Sequence, residues 1–386
     1  MNRTVVGIDV SRDAFYCCFT SKLADGNTKI AATRRLGNTP SGYTELVAWA
    51  AKHNKEKQPV LFVMEATGVY YENLAHFLYD QGQQVCVVLA NKMKGYFKSL
   101  NLKTKTDKVD AKAIAAYGLE RRAVLWEPMA ADYKVLRDYC RELLALKKDR
   151  QRAKSQLHAM NASYRKHPQV VALKQSQIDF CESAMETIEK ELRQLVGQDP
   201  ALKDKIDQLA SIPGIGFETA LILACETNGF KLFGSIRQVV SYAGLDVSHD
   251  ESGSFKGRSR ISKRGNARIR QALYMPALSA LQHNEPIREL YGRICESNPA
   301  LKQKGVVAAM RKLLVLSYVI WKKDEKYDRE YEWNPKASGN ERAESSFDEQ
   351  KKSGATGAPH KIDLAKTNRR KSSLRETKLL KKQIMQ

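Results

Sequence analysis

Four acidic residues occur in an order that could support metal-dependent chemistry. Asp9 and Glu65 each end an apolar, strand-like segment, while Asp107 and Asp110 lie three residues apart at the start of a predicted helix and so share one face. Carboxylates that converge in this way repel one another unless cations hold them. Mg²⁺ binds carboxylate oxygens and keeps positions open for phosphate. The pattern predicts a Mg²⁺ site at which two metal ions could activate an attacking oxygen and stabilise a leaving one.

Each of these acids also fits an ordinary structural role when it is taken alone. Asp107, directly after Thr106, could simply favour a helix N-terminus. The lysines nearby give the group more weight, because a dense basic surface beside metal-binding acids suits a substrate that carries phosphate. Lys103 and Lys105 precede the acidic pair and are predicted to contact nucleic acid.

A second stretch, residues 250–265, combines hydroxyls, glycines and cations without apolar periodicity. A serine here could attack phosphorus, since neighbouring cations would stabilise both the alkoxide and the transition state. Spacing alone does not choose among Ser252, Ser254, Ser259 and Ser262, and most serines in such loops only form hydrogen bonds or cap helices. The cations that could clamp phosphates are Lys256, Arg258, Arg260, Lys263, Arg264, Arg268 and Arg270.

A glycine-rich turn, residues 211–216, precedes an apolar helical segment. Gly214 and Gly216 would expose backbone N–H groups near a helix N-terminus, where phosphate binds readily. The turn resembles half of a helix-hairpin-helix that binds the DNA backbone. An ordinary glycine-rich turn is the alternative.

Composition agrees with a polyanionic partner. The 386 residues carry 65 Lys and Arg against 43 Asp and Glu, a formal charge of +22, and nucleic acid is the commonest partner of so basic a chain. The seven cysteines form no CxxC pair, which argues against a zinc ribbon or a disulfide framework and suits a reducing cytoplasm. No apolar run is long enough to predict a membrane span.

The segments that position these residues predict three parts and a tail. Residues 1–128 alternate strand-like and helix-like segments in an α/β pattern. Residues 129–197 are predicted to form two antiparallel helices with a turn near Pro168. The pair is either a plain surface feature or a coiled-coil arm for dimerisation. Residues 198–325 contain helical segments around the basic loop, and residues 326–386 are polar, basic and predicted to be disordered.

Seven short motifs occur in an order that resembles one known family. Together they resemble the DEDD insertion-sequence transposases of the IS110 family, which are related to the Piv DNA invertases, and the resemblance covers about residues 3–325. The motifs are Gly7-Ile8-Asp9, Glu65-Ala66-Thr67-Gly68, Thr106-Asp107-Lys108-Val109-Asp110-Ala111, Ser211-Ile212-Pro213-Gly214-Ile215-Gly216, Tyr242-Ala243-Gly244-Leu245, Glu251-Ser252-Gly253 and Ile261-Ser262-Lys263-Arg264-Gly265.

The resemblance implies a fold and a mechanism. It implies an α/β RuvC-like domain of the ribonuclease H fold at residues 1–128, a helical coiled-coil arm at 129–197 and a mostly α-helical transposase domain at 198–325. The four acids would bind Mg²⁺, and Ser252 would be the nucleophile that forms a covalent phosphoserine link to DNA. The resemblance also implies donor and target DNA, a noncoding bridge RNA that pairs with both, and a homo-oligomer, dimer or tetramer, with a composite active site.

Two other functions would explain part of the pattern. A metal-dependent, structure-specific nuclease, such as a junction resolvase, would need the four acids but not Ser252. A non-catalytic nucleic-acid-binding protein would explain the charge and the basic loop. It would leave four ordered acids inside a basic chain as an electrostatic cost without a purpose.

Overall fold

A computed structural model describes residues 3–23, 27–101, 106–248, 251–252, 255–256, 260–297, 299 and 301–328. The chain as far as Tyr327 forms one compact unit. The predicted tail lies outside the described residues beyond Asp328. Within the described ranges, no helix is both long enough and apolar enough to cross a bilayer.

The N-terminal part is built on a mixed five-stranded sheet in the order β3-β2-β1-β4-β5. β1 pairs antiparallel with β2 and parallel with β4, so the first three strands form a meander and the last two extend it in parallel. The elements are β1 (Arg3–Val10), β2 (Ala14–Lys22), β3 (Thr28–Gly37), α1 (Pro40–His53), β4 (Val60–Ala66), α2 (Glu72–Asp80), β5 (Gln84–Leu89), α3 (Ala90–Ser99) and α4 (Asp107–Glu120).

Helices cover both faces of this sheet because the central strands are apolar on both sides. Val6 and Ile8 of β1 point into a core with α1 and α2, whereas Val5 points into a second core with α4. The five strands and the helices α1, α2 and α4 confirm the α/β pattern read from the sequence. Helix α3 was not predicted, since its lysines obscure the short apolar side marked by Met93 and Tyr96.

Two long helices follow, α5 (Ala131–Ala162) and α6 (Pro168–Gln198). Only residues 163–167 connect them, so they run antiparallel, as predicted, and Pro168 takes a first-turn position where proline is tolerated. The ends of the pair near Leu143 and Leu192 are buried in the C-terminal core. In the outer half, from residue 154 to residue 177, none of the side chains is fully buried.

The C-terminal part is helical, with the basic loop inserted between two helices. Its helices are α7 (Pro200–Ala210), α8 (Phe217–Glu226), α9 (Ile236–Tyr242), α10 (Ala267–His283), α11 (Glu285–Ser297) and α12 (Lys302–Lys323). α8 is the central one, because every residue from Ala220 to Glu226 is buried. Short strand pairs interrupt the predicted loop: β6 (Val247–Ser248) with β9 (Arg260–Ile261), and β7 (Glu251–Ser252) with β8 (Phe255–Lys256).

Candidate active site

Two of the predicted acids end neighbouring strands at the same level. Ile8 of β1 is paired with Met64 of β4, so Asp9 and Glu65, the next residues, lie side by side at the carboxyl ends of parallel strands. Both acids are half-buried. Ligands of open α/β sheets usually bind at this edge, so the backbone places the pair where a substrate can approach.

Helix α4 lies on the face of the sheet to which both acids belong. A Cβ atom at Gly7 would lie 2.2 Å from the backbone nitrogen of Ala115, and one at Gly118 would lie 2.7 Å from side-chain atoms of both Val5 and Val63. Val5, Gly7 and Val63 therefore face α4. Since side chains alternate along a strand, Asp9 and Glu65 face the same side.

The same contacts give the direction of α4 along the sheet. Gly118 lies beside Val5, whereas Ala115, earlier in the helix, lies beside Gly7. Helix α4 therefore runs antiparallel to β1, with its N-terminus toward the carboxyl end of the strand. One further turn, about 5.4 Å, carries the acidic pair to the level of Asp9. Thr106 caps this end, because its hydroxyl accepts a hydrogen bond from the Val109 N–H at 3.3 Å. The helix N-terminus thus points the acidic pair toward the strand ends.

The four acids lie toward one end of the sheet. Asp107 is exposed on the first turn of α4, whereas Asp110 is half-buried. Across the described residues, no group of three or more His, Cys, Asp or Glu side chains is placed to hold a metal, so the four-carboxylate metal site stays a prediction. Carboxylate oxygens are the donors that Mg²⁺ prefers, so the chemistry of the set fits a divalent cation.

Asn38 joins the two loops that leave the acidic strands. Its Nδ2 donates to the carbonyl oxygens of Ser11 at 3.0 Å and Tyr70 at 3.1 Å, and its Oδ1 accepts from the Tyr43 hydroxyl at 2.7 Å. Ser11 follows Asp9 by two residues, and Tyr70 belongs to the loop that follows β4. One amide therefore holds together the segments on either side of the acidic edge. The sequence reading did not single out Asn38.

The lysines near the acidic edge divide between described and undescribed segments. Lys103 and Lys105 lie outside the described residues. Lys92, Lys94 and Lys98 on α3 are exposed, and so is Lys108 in the first turn of α4. These side chains are free to meet a phosphate backbone beside the acids.

The basic loop forms a ribbon, and Ser252 lies near its tip. Ser252 is paired with Phe255, so only residues 253 and 254 separate β7 from β8. Those two residues lie outside the described part of the chain, as do Arg258 and Ser259, and only the backbone of Glu251, Ser252, Phe255 and Lys256 is described. Arg260, Lys263, Arg264 and Arg268, on the returning side, are all exposed.

Ser262 has a structural partner at the base of the ribbon. Its hydroxyl donates to the Asp246 carboxylate at 2.5 Å and accepts from the Arg264 N–H at 3.3 Å. Arg270, one of the predicted phosphate clamps, donates instead to the Ala243 carbonyl at 2.8 Å. Both residues therefore fix the base of the ribbon.

A buried ion pair anchors the same base. Glu226, at the end of α8, is 3% exposed and accepts from Arg141 Nε at 2.7 Å and Nη2 at 3.0 Å. Asn266, which caps α10, donates to the same carboxylate at 2.7 Å. Burial alone would raise the pKa of Glu226, but the hydrogen bonds from Arg141 and Asn266 outweigh it and hold the pKa below its ordinary value. The ionised pair ties α5, α8 and the ribbon together.

The glycine turn predicted to bind phosphate connects α7 to α8. Gly214 has φ +104°, and a Cβ there would lie 2.8 Å from the Pro276 carbonyl oxygen, so this glycine permits close packing on α10. Gly216 is different, because it is exposed at the N-cap of α8 with open space beside its Cα. Of the two predicted contacts, Gly216 is therefore the one that a ligand could reach.

Comparison with family profiles agrees with this geometry. Residues 6–164 match the DEDD family of IS110 elements, described as "Transposase", and residues 206–292 match the family described as "Transposase IS116/IS110/IS902 family". The first match spans the acidic edge and all of α5. The second spans α8, the ribbon and α10.

Curated relatives match most of the chain. The "Pilin gene-inverting protein" of Moraxella bovis is 31% identical over 333 residues, which is 85% of this chain and 99% of that protein. The chain belongs to the IS110 transposase family. It is therefore a DNA transposase or recombinase, and the family resemblance read from the motifs is confirmed. The transposase for insertion sequence element IS1328 of Yersinia enterocolitica is 25% identical over 317 residues, or 74% of this transposase and 86% of that one.

Solved structures show a weaker likeness. Thermus thermophilus RuvC in complex with a Holliday junction substrate aligns with 32% of this transposase and 99% of RuvC, at 14% identity and a TM-score of 0.24. A second Thermus thermophilus RuvC structure gives 14% identity and a TM-score of 0.25. Scores this low do not establish a shared fold.

Proposed function

We propose that this transposase cuts and rejoins DNA through Ser252, assisted by a divalent-metal site formed by Asp9, Glu65, Asp107 and Asp110. The observation that carries the proposal is the position of Ser252, one residue before the turn of a ribbon whose base is fixed by the Glu226 ion pair. A fixed base suits a nucleophile that must be held in position against a DNA backbone.

The chemistry follows from the groups around the ribbon. The Ser252 oxygen would attack phosphorus and form a new P–O bond, and one phosphodiester P–O bond to the DNA would break. The released DNA oxygen would take up the proton that the serine loses and leave as a hydroxyl, while the phosphoserine ester keeps the phosphate for rejoining. The exposed guanidinium and ammonium groups of Arg260, Lys263, Arg264 and Arg268 would bind flanking phosphates and stabilise the charge that develops. A divalent ion at the acids, when bound, would act as a Lewis acid toward phosphate oxygens.

The acidic edge belongs to the proposal because its backbone already points four acids to one end of the sheet. Residues 1–128 would then form the RuvC-like domain with the ribonuclease H fold, residues 129–197 the arm and residues 198–325 the serine domain. Mg²⁺ is the proposed ion because all four donors are carboxylates.

Nucleic acid is the proposed partner, in the form of donor DNA, target DNA and a bridge RNA that pairs with both. The net charge of +22 supports it, as do the exposed lysines of α3 and the exposed backbone at Gly216. Under this proposal base pairing reads the sequence, and the basic surface binds the backbone.

A second copy of the chain would cover the outer half of the α5–α6 pair. Apolar side chains stand exposed there, with Tyr164 97% and Leu173 70% accessible, and Phe180 just beyond it is 67% accessible. A surface helix rarely leaves such residues open without a partner. We therefore propose that this arm joins protomers into a dimer or tetramer, in which the acids and Ser252 come from different copies.

The proposal is tested by Ser252→Ala against the wild type, with bridge RNA, donor DNA, target DNA and Mg²⁺, on a denaturing gel. Wild type should give a protein–DNA adduct, and Ser252→Ala should give none because it lacks the attacking oxygen. Ser254→Ala removes a hydroxyl two residues away and should keep the adduct. Normal cleavage by Ser252→Ala, with no adduct in any protein, would favour the metal-dependent nuclease instead.

A further inference from the structure

A cavity of about 300 Å³ lies at the junction of the N-terminal and C-terminal parts. Tyr71 and His76 line it from the start of α2 and from α2 itself, Trp126 from the segment before α5, and Arg137 from α5. Asn228 and Tyr242 close the other side, beyond α8 and at the end of α9. This volume is at the small end for ligand pockets, so it suits a single ring system better than a large molecule.

Two polar groups in the wall have no partner. Among the residues that the structure describes, the buried Nε of Arg137 and the buried Oδ1 of Asn228 make no hydrogen bond. Such groups cost free energy unless something satisfies them. Arg141, one turn further along α5, is by contrast fully engaged with Glu226. Arg137 and Asn228 both line the cavity.

Aromatic rings form much of the remaining wall. The Trp126 ring is held edge-on against His76, with centroids 5.1 Å apart, and against Tyr79, with centroids 6.0 Å apart. Burial raises the pKa of Tyr71 and of Tyr242, so both phenols stay protonated at neutral pH. The Tyr242 hydroxyl already donates to the Glu226 carbonyl oxygen at 3.1 Å. The cavity therefore combines flat apolar surfaces with the unpartnered groups of Arg137 and Asn228.

We propose that this cavity binds one unpaired nucleobase, extruded from the nucleic acid that the transposase holds. The inference rests on the proposed function, because it requires bound nucleic acid. A base is a flat ring with donors and acceptors on its edge, and proteins that bind splayed-out bases stack them on aromatic side chains. Guanine suits Arg137 best, since arginine donates to its O6 and N7. The base would lie beside Glu226, whose ion pair anchors the Ser252 ribbon.

The test measures binding of full-length transposase to fluorescein-labelled 15-nucleotide single strands. One strand is a thymidine tract with a central guanine, and its match carries an abasic site there; a uridine tract with the same two centres forms the RNA arm. For the wild type, the abasic site should weaken binding about tenfold, as expected for loss of one stacked base. For Arg137→Met, the guanine and abasic strands should bind within about twofold of each other. The two proteins and two strands together form a double-mutant cycle, which isolates the contact between Arg137 and the base.

Lys148→Met is the matched control, because it removes one exposed charge from α5. It should weaken both strands equally and keep the tenfold difference. Asn228→Gly is a second variant, since glycine accepts the φ of +50° found at this position, and it should also reduce the difference.

The outcomes separate the possible failures. If the wild type binds both strands tightly and equally, the cavity takes no base and the inference is wrong, while the proposed function stands. If the wild type binds no nucleic acid, the proposed function itself fails. An effect in the DNA arm alone identifies a DNA base as the occupant, and an effect in the RNA arm alone identifies an RNA base.

Discussion

At the residue scale, Asp9 is the sharpest test of the acidic edge. Asp9→Asn keeps the size of the side chain and removes the charge that a divalent cation needs. We expect it to abolish strand transfer in the gel assay while nucleic-acid binding, measured by fluorescence anisotropy on the same preparation, stays unchanged or tightens. Tighter binding would follow from the loss of a negative charge beside the DNA phosphates.

Asp13→Asn provides the control for that experiment. Asp13 lies four residues further on and is exposed, and its carboxylate pairs with Arg12 at the surface, 2.9 Å away. Its replacement should leave both strand transfer and binding at wild-type levels, because exposed ion pairs contribute little. Strand transfer retained by Asp9→Asn would remove Asp9 from the proposed metal site.

Single residues also show where reading the sequence succeeds and fails. The positions of Asp9 and Glu65 follow from apolar runs and strand alternation, which are local. Glu226 could not be found in this way, because its partners Arg141 and Asn266 are 85 and 40 residues away. Its one local signal is an acid that ends a wholly buried helix, where a charge needs a partner.

At the scale of elements, Asn38 links the two loops beside the acidic edge. Asn38→Ala removes hydrogen bonds to Ser11, Tyr70 and Tyr43, each contributing about 0.5–1.5 kcal/mol to stability. We expect the melting temperature to fall by a few degrees. We also expect the Mg²⁺ concentration for half-maximal strand transfer to rise several-fold, because the loops no longer hold Asp9 and Glu65 in register.

Asn54→Ala separates stability from positioning. Asn54 bonds Gln58 through both side-chain atoms, at 2.7 and 3.1 Å, just past the other end of α1. Its loss should lower the melting temperature in a similar way and leave the Mg²⁺ dependence unchanged. An equal shift of the Mg²⁺ dependence in both variants would show that Asn38 acts through stability alone.

Helices and strands were predicted where their apolar periodicity extends over many residues. Strands β1 to β5 and the α5–α6 pair follow from apolar periodicity and from Pro168 at the turn. The ribbon around Ser252 was missed because each of its strands has two residues, too few to alternate visibly. For the four acids, sequence order predicts the edge of the sheet at which they lie, whereas the distances between them depend on how α4 packs on the sheet.

At the scale of the whole molecule, the buried junctions explain how one unit holds the acidic edge and the ribbon together. α5 contributes Leu143 to the C-terminal core and Arg141 to the ribbon anchor, and Arg137 lines the cavity that α2 closes. A change on either side of this junction can therefore reach the other. The sequence predicted parts along the chain, but not that α5 would join them.

The boundary of the compact unit decides how the chain can be shortened. The sequence places the start of the tail at residue 326, yet the Tyr327 N–H donates to the Ser211 hydroxyl at 2.9 Å and its ring packs on the core.

A chain ending at Asp328 should keep wild-type strand transfer and melting temperature and lose only part of its nucleic-acid affinity at low salt, because the removed segment is basic. A chain ending at Lys326 should melt a few degrees lower, since it also loses the Tyr327 contacts. Thermal melts and strand-transfer assays on the two chains distinguish them, and loss of strand transfer from the chain ending at Asp328 would show that catalysis needs the tail.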